Sequence, residues 1–511
     1  MMLALCLSSL MAHADDGLMT GTRYLRSVSL DLLGRLPTIE EYDLIGDDQT
    51  IPDSLLDQWL ESDEFHNQVL YYHNLLLLND LEFVKFQNFV HYMDRSSDGI
   101  YYIKRRSSRI GESSLSHNPP CGDYEATFDE NNKPIRTTNF DGSLDEGYVW
   151  VTPYWAPETQ VKVCASEAQE TEITTLGRDC KTNFGPADPE CGCGPNLNWC
   201  IPNFTTGVYH QIVDDFNEQI NQYISKIISE DRPYTELFTG DTLLLNGPLT
   251  HMYKYLVFHP HGATMEHPPF DRNLMPNLTY TEADNWVEIP SIEANSGVFG
   301  LPGFLLRYHT NRRRAERVLS EFMCTELTPP AAGLAESTDE ELFEADLRQL
   351  SGCSGCHSLI EPIAGYWGRW VEGGGSFVPE SLFPPFSEEC NEAARNGNDR
   401  NAFAKCQNEG YLMDPYWEDQ VGWYWSHAHL YESEQHYPME GPRMLFEQKI
   451  ADGTLPKCVV EKAVGQLLGR DLNNRDTTWH RDLTRDFILN DYNYVQLIRN
   501  IVTSDQYRRR L

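Results

Sequence analysis

The sequence predicts a mainly α-helical protein with substantial irregular, disulfide-stapled loops. Apolar residues recur at helical spacing in several separate stretches. Between residues 116 and 205 that period disappears, and six cysteines crowd between 121 and 200. The chain is 511 residues long and 40% hydrophobic, enough for a globular core and more than one folding region.

The chain opens with an apolar run before Ala12-His13-Ala14, a small-x-small site followed by two aspartates. Residues 1–14 therefore read as a secretory signal peptide, with a retained anchor or lipidation at Cys6 as alternatives. No later stretch approaches the roughly 18 to 20 apolar residues that span a bilayer, so no transmembrane span is expected after signal removal. Residues 15–115 read as an N-terminal helical region. Pro52-Asp53-Ser54 looks like a helix start, and Leu55, Leu56, Trp59, Leu60, Phe65, Val69, Leu70 and His73 follow at helical spacing. Residues 116–205 form a Cys-rich irregular insert with short strands such as 147–153. In the central helical region, 206–345, the period returns at Ile212, Phe216, Ile220, Tyr223, Ile224, Ile227 and Ile228. Residues 255–300 are rich in loops; 312–324 and 339–350 read as helices. The last region, 346–511, carries two clear helices, one through Val459, Val464 and Leu468, the other through Leu497, Ile501 and Val502.

With 40 Lys and Arg against 77 Asp and Glu, the formal net charge is −37. Nucleic-acid binding needs a basic footprint and is excluded as an expectation. A solvated acidic surface, with a basic partner as the sharper alternative, fits this balance.

The most informative five residues are Cys353-Ser354-Gly355-Cys356-His357. This CxxCH spacing is that of a c-type haem attachment site. Two cysteines three apart can form thioethers with the vinyl groups of one porphyrin, and the adjacent His can ligate the iron. A disulfide loop or half a zinc site with an incidental His is the bland alternative. The expected cofactor is one covalent haem c, in a C-terminal region of cytochrome c-like build. Cys353 and Cys356 carry the thioethers and His357 is the proximal ligand through Nε2. Its Nδ1–H needs an acceptor, and the carbonyl of Pro362 is the expected one. Tyr366, Trp367 and Trp370 are expected to bury one side of the site. The sixth ligand stays open among His309, Met439 with Met413 and Met444, the downstream His427, His429 and His436, and no protein ligand at all. The choice matters because a Met ligand raises the potential and an open position permits ligand chemistry.

Setting aside Cys6 and the motif leaves ten cysteines, enough for five disulfides, with those of 121–200 stapled among themselves and Cys390 with Cys406 closing a local loop. Disulfides and covalent haem require the same oxidising compartment, so the expected location is the bacterial periplasm or the outer face of the envelope. Zinc at Cys180, Cys191, Cys193 and Cys200, calcium at 141–146, and a transition metal among His251, His259, His261 and His267 are weaker readings.

Several fragments also resemble one family, the large single-haem exported cytochrome-like proteins of planctomycete and myxobacterial type. YLRSVSLDLLGRLPT at 24–38 is similar to its opening helix and Leu-Pro turn, and DRPYTEL at 231–237 to its DRPFTEL segment. Residues 300–314 leading to CTELTPP at 324–330 resemble the stretch before its haem site. CxxCH followed by SLIEPIAGY is similar to CHxxIDPxGF, and LLGR at 467–470 and IVTSD at 501–505 to its C-terminal helices. The chain departs in reading Asn311-Arg312-Arg313-Arg314-Ala315 where the family has Ser-Pro before Arg-Gly, in having Glu361 for the commoner Asp, and in its Cys-rich insert. The resemblance implies a helical, exported haem protein and says little about its role. Three roles remain: an electron-transfer relay serving other redox or envelope proteins, a structural subunit of a larger envelope complex with buried haem, and a peroxidase-like enzyme. The relay is the leading expectation.

Overall fold

The computed structural model describes residues 18–509 apart from 20, 46–49, 85–91, 104–120, 139–143, 182–189, 203–206, 257–267, 293–294, 328–346, 351, 373, 376, 381–382, 384, 391–404 and 407–431. About half of the chain is helical. The longer helices are α1 (Gly21–Leu33), α2 (Asp53–Leu60), α3 (Asp63–Leu77), α4 (Gly207–Ser229), α5 (Pro302–Arg307), α6 (Asn311–Phe322), α7 (Ser354–Gly365), α8 (His436–Ala451), α9 (Thr454–Leu468), α10 (Thr477–Leu489) and α11 (Tyr494–Val502). Amphipathic spacing explains most of them: α4 buries Ile212, Phe216, Ile220, Ile224 and Ile227, one stripe at 3.6-residue period. Side-chain caps start others, Thr310 accepting from Arg313 N for α6 and Asn493 from Gln496 N for α11. Among the described residues, no helix is long and apolar enough to cross a membrane.

The irregular insert carries short strands, as expected, and they join one sheet with two strands from the segment before it. The strands of that sheet are β1 (Tyr92–Arg95) and β2 (Ile100–Ile103) before the insert, and β3 (Cys121–Glu125), β4 (Thr137–Thr138), β5 (Leu144–Val151), β6 (Val161–Cys164) and β7 (Ile201–Pro202) within it. They form one mixed seven-stranded sheet in the order β3-β5-β6-β2-β1-β7, with β4 also on β5. β1 and β2 lie where sequence spacing predicts helix. The reason is burial: all four residues of β2 are buried, so the strand lacks the polar–apolar alternation that marks a half-exposed one. β5 contains Gly147, where a side-chain carbon would fall 2.5 Å from the Tyr124 carbonyl oxygen of β3. A separate two-stranded antiparallel sheet pairs β8 (Thr242–Leu245) with β9 (Val287–Pro290).

Disulfides hold the sheet. Cys121–Cys164 joins β3 to β6, Cys180–Cys191 and Cys193–Cys200 close short loops beside it, and Cys390–Cys406 closes a loop after α7. Cys324 and Cys458 are disulfide-bonded as well. The four cysteines of the zinc reading are therefore all in disulfides. The helix expected at 339–350 falls mostly outside the described residues, and 347–350 form a turn and bends. Among the described residues the last region holds five longer helices, α7 to α11, three more than the two expected. α8 escapes the periodicity because Pro442 interrupts it and it kinks at Gly441 (φ +71°).

The chain divides into two units. One joins residues 1–72, 228–234 and 456–511; the other joins 73–227 and 235–455. In the first, Tyr24 of α1 donates to the carbonyl of Val502 (2.9 Å), and Tyr507 donates to Asp31 (2.5 Å). The second contains the sheet and the CxxCH helix. Its helical core is aromatic: Phe299 lies 5.3 Å from Phe238, 4.9 Å from Phe304 and 4.7 Å from Phe446, ring centre to ring centre.

Candidate functional site

The motif begins at a turn. Gly352 has φ +89°, a left-handed conformation that suits glycine, and Cys353 caps α7. Cys353, Cys356 and His357 are half-buried, the two cysteines three residues apart along one side of the helix start. Gly355 is exposed, and a side-chain carbon there would meet nothing within 4 Å. Leu359, three residues beyond Cys356, is 44% exposed.

His357 is held from behind. Its Nδ1 lies 2.7 Å from Oε1 of Glu361, one helical turn on. The same oxygen accepts from Arg312 Nε of α6, also at 2.7 Å. Facing a carboxylate that already takes a guanidinium, Nδ1 is the protonated ring nitrogen, which leaves the lone pair on Nε2. The Glu361 side chain is 3% exposed, so this ion pair is shielded. The Nδ1 acceptor is thus Glu361 and not the carbonyl of its neighbour Pro362. Pro362 sits inside α7, where it lacks an N–H to donate to the previous turn.

Behind α7 the packing is dense. Tyr366, Trp367 and Trp370 are all buried, and Trp367 donates its indole N–H to the Phe299 carbonyl (3.2 Å). Arg314, fully buried, ties α5 and α6 to the segment after α7. Its Nε donates to the Tyr308 carbonyl. Nη1 donates to Asn311 Oδ1 and the Trp370 carbonyl, and Nη2 to the carbonyls of Leu305 and Val371, at 2.8 to 3.2 Å. Burial lowers its pKa to about 10, opposed by nearby Glu372. Burial also raises the Glu372 carboxyl, against the Asn311 N–H that it accepts at 2.6 Å. The arginine run of 312–314, which departs from the family pattern, supplies both the Glu361 partner and this buried clamp.

The other site residues scatter. His309 is exposed, and desolvation with Arg313 and Arg314 beside it lowers its ring pKa. Met439 is half-buried in α8, two residues from Tyr437, whose ring lies 4.9 Å from that of Tyr366. Met444 and His436 are exposed. Met413, His427 and His429 lie outside the described residues, as do His259, His261 and His267. His251 is buried, stacked 3.7 Å from Tyr154, with Nε2 3.3 Å from Asn198 Oδ1. Of the calcium segment 141–146, Glu146 is buried and bound to Arg136 and Ser166. Among the described residues no three His, Cys, Asp or Glu side chains form a metal cluster.

No protein-family model matches the chain, nor does any curated protein or any solved structure. The residues present fit a covalent haem on chemical grounds. Two thiols sit at the right spacing beside a histidine whose Nδ1 is already held by a carboxylate, the arrangement that orients a metal-ligating imidazole. The exposed Gly355 and Leu359 leave a partly apolar face on which a flat ring can lie. Glu361 and Arg312 are the residues that sequence reasoning missed, although the i, i+4 spacing of His357 and Glu361 was available as a signal.

Proposed function

We propose that the protein is an exported monohaem c-type cytochrome-like protein that relays electrons in the cell envelope. The observation that carries this reading is the His357–Glu361–Arg312 chain beside the two motif thiols. Cys353 and Cys356 would hold the haem through two thioethers, each made by addition of S–H across a vinyl group with no by-product. His357 would offer Nε2 to the iron, while Glu361 accepts from Nδ1 and fixes the ring, and Arg312 holds Glu361. The bound haem supplies a one-electron couple. Buried Trp367 and Trp370 would exclude water on the core side, and a haem on the half-buried motif would lie close to the surface, where a partner can approach. Other redox or envelope proteins are the proposed partners, and the charge of −37 favours basic ones. The disulfides and the absence of a membrane-crossing helix among the described residues are compatible with export.

The test is an absorption spectrum of the purified protein, oxidised and reduced, before and after carbon monoxide. A c-type spectrum indifferent to carbon monoxide, with colour retained after denaturation, is expected. A prompt shift with carbon monoxide would replace the relay with a ligand-binding or catalytic role. A protein with no Soret band carries no haem, and the reading fails.

A further inference from the structure

A second feature stands apart from the motif. Over the sheet lies a cleft of about 620 Å³, within the range of small-ligand sites. Its floor includes Val149 of β5 and the small residues Ala165 and Ala168. One wall is the tight turn in which Phe128 bridges to Pro134; the other runs through 169–175. Glu190 straps the two walls together, accepting from Lys133 Nζ at 3.1 Å and from the Thr175 hydroxyl at 2.9 Å and amide at 2.7 Å. The disulfides Cys121–Cys164 and Cys180–Cys191 anchor the segments on either side. The cleft is therefore built in advance rather than formed by loops that close.

Its lining is selective. Phe128 (41% exposed) and Ile173 (58% exposed) present apolar surface that the described residues leave uncovered. The side chains of Asn131, Asn132 and Thr171 line the cleft without a hydrogen bond to any described residue, and so have donors and acceptors to give. Lys133 and Glu190 pair with each other, and Glu170 adds a carboxylate to the lining, which disfavours an anionic ligand. An anionic ligand would also meet the field of a chain carrying −37. An extended peptide normally adds to a sheet edge, but β3 and β6 already flank β5 on both sides. What remains is a neutral, hydroxyl-rich ligand with an apolar face for an aromatic ring. We propose that this cleft binds a neutral oligosaccharide. The proposal is independent of the haem reading.

The experiment is isothermal titration calorimetry of the full chain with cellohexaose, maltohexaose, xylohexaose and chitohexaose, and with an uncharged, end-blocked peptide of similar length. At least one sugar should bind with a Kd at or below about 1 mM. Phe128→Ala should weaken it about tenfold, by loss of the stacking surface. Asn131→Ala should weaken it about fivefold, by loss of a hydrogen bond. Trp150→Ala should leave it unchanged, because Trp150 follows Val149 and so faces away from the floor. If Phe128→Ala fails to fold, judged by its thermal melt, Ile173→Ser replaces it. No heat with any of the four sugars, equal binding by the wall variants, or binding of the peptide in preference to every sugar would overturn the proposal.

Discussion

At the scale of single residues, Glu361 sets the character of the candidate site. With a haem bound, its carboxylate would make the His357 ring a stronger donor and so favour oxidised iron. In the haem-loaded protein, Glu361→Gln should keep the c-type spectrum and raise the midpoint potential by tens of millivolts, at about 59 mV per tenfold loss of stabilisation. A potentiometric titration reads this, and an unmoved potential would remove Glu361 from the site. Arg314 poses a packing problem instead. Arg314→Met strips four buried carbonyls of their donor and should cost about 3–5 kcal/mol in a denaturant titration. Asp215 acts through pH. Burial, with Asp214 and Glu218 nearby, lifts its pKa from 3.8 to about 6, against hydrogen bonds from Asn246 and Gln211. Between these values the folded protein keeps a proton that the unfolded chain has lost. Its contribution therefore falls as pH rises from about 4 to 6, by up to about 3 kcal/mol, and stays low above that. Asp215→Asn should flatten that slope and stabilise the protein at pH 8, as thermal melts across pH would register.

At the scale of elements, the disulfides rank by the loops they close. Cys121–Cys164 spans 43 residues and Cys193–Cys200 spans 7. Chain entropy assigns them about 4 and about 2 kcal/mol, so paired Cys→Ala replacement should lower the urea midpoint more for the first than for the second. The α11 cap is a smaller lever; Asn493→Ala should cost about 1 kcal/mol. The same elements show what a sequence displays and what it conceals. α4, α9 and α11 were legible because each buries a stripe and exposes the rest, so the period survives in the letters. β2 was not, because it is buried on both sides, and β1 enters the sheet only through pairing with β2 and with β7, which begins 98 residues beyond the end of β2. At the site, the two cysteines and His357 stood out by spacing alone. The ion pair beneath them did not, because Arg312 reaches Glu361 across 49 positions and only the packing of α6 on α7 brings them together.

At the scale of the whole molecule, like-charge repulsion is the dominant electrostatic fact. A chain at −37 should gain stability with added salt, and its melting temperature should rise between about 0.01 and 0.15 M sodium chloride as the Debye length falls from about 30 to 8 Å. A flat response would mean that the acidic groups are neutralised by other means. The unit that holds both α1 and α11 adds a constraint of another kind. Met19 and Arg508 exchange hydrogen bonds at 2.9 and 3.0 Å, and the Arg508 guanidinium lies 5.0 Å from the centre of the Tyr24 ring. Their partners are made by the ribosome nearly 490 residues apart. Throughout that interval α1 can pack on α2 but lacks the segment that completes its unit, which cannot close before Arg508 has been made. Folding of this unit therefore waits on the segment that carries α10 and α11.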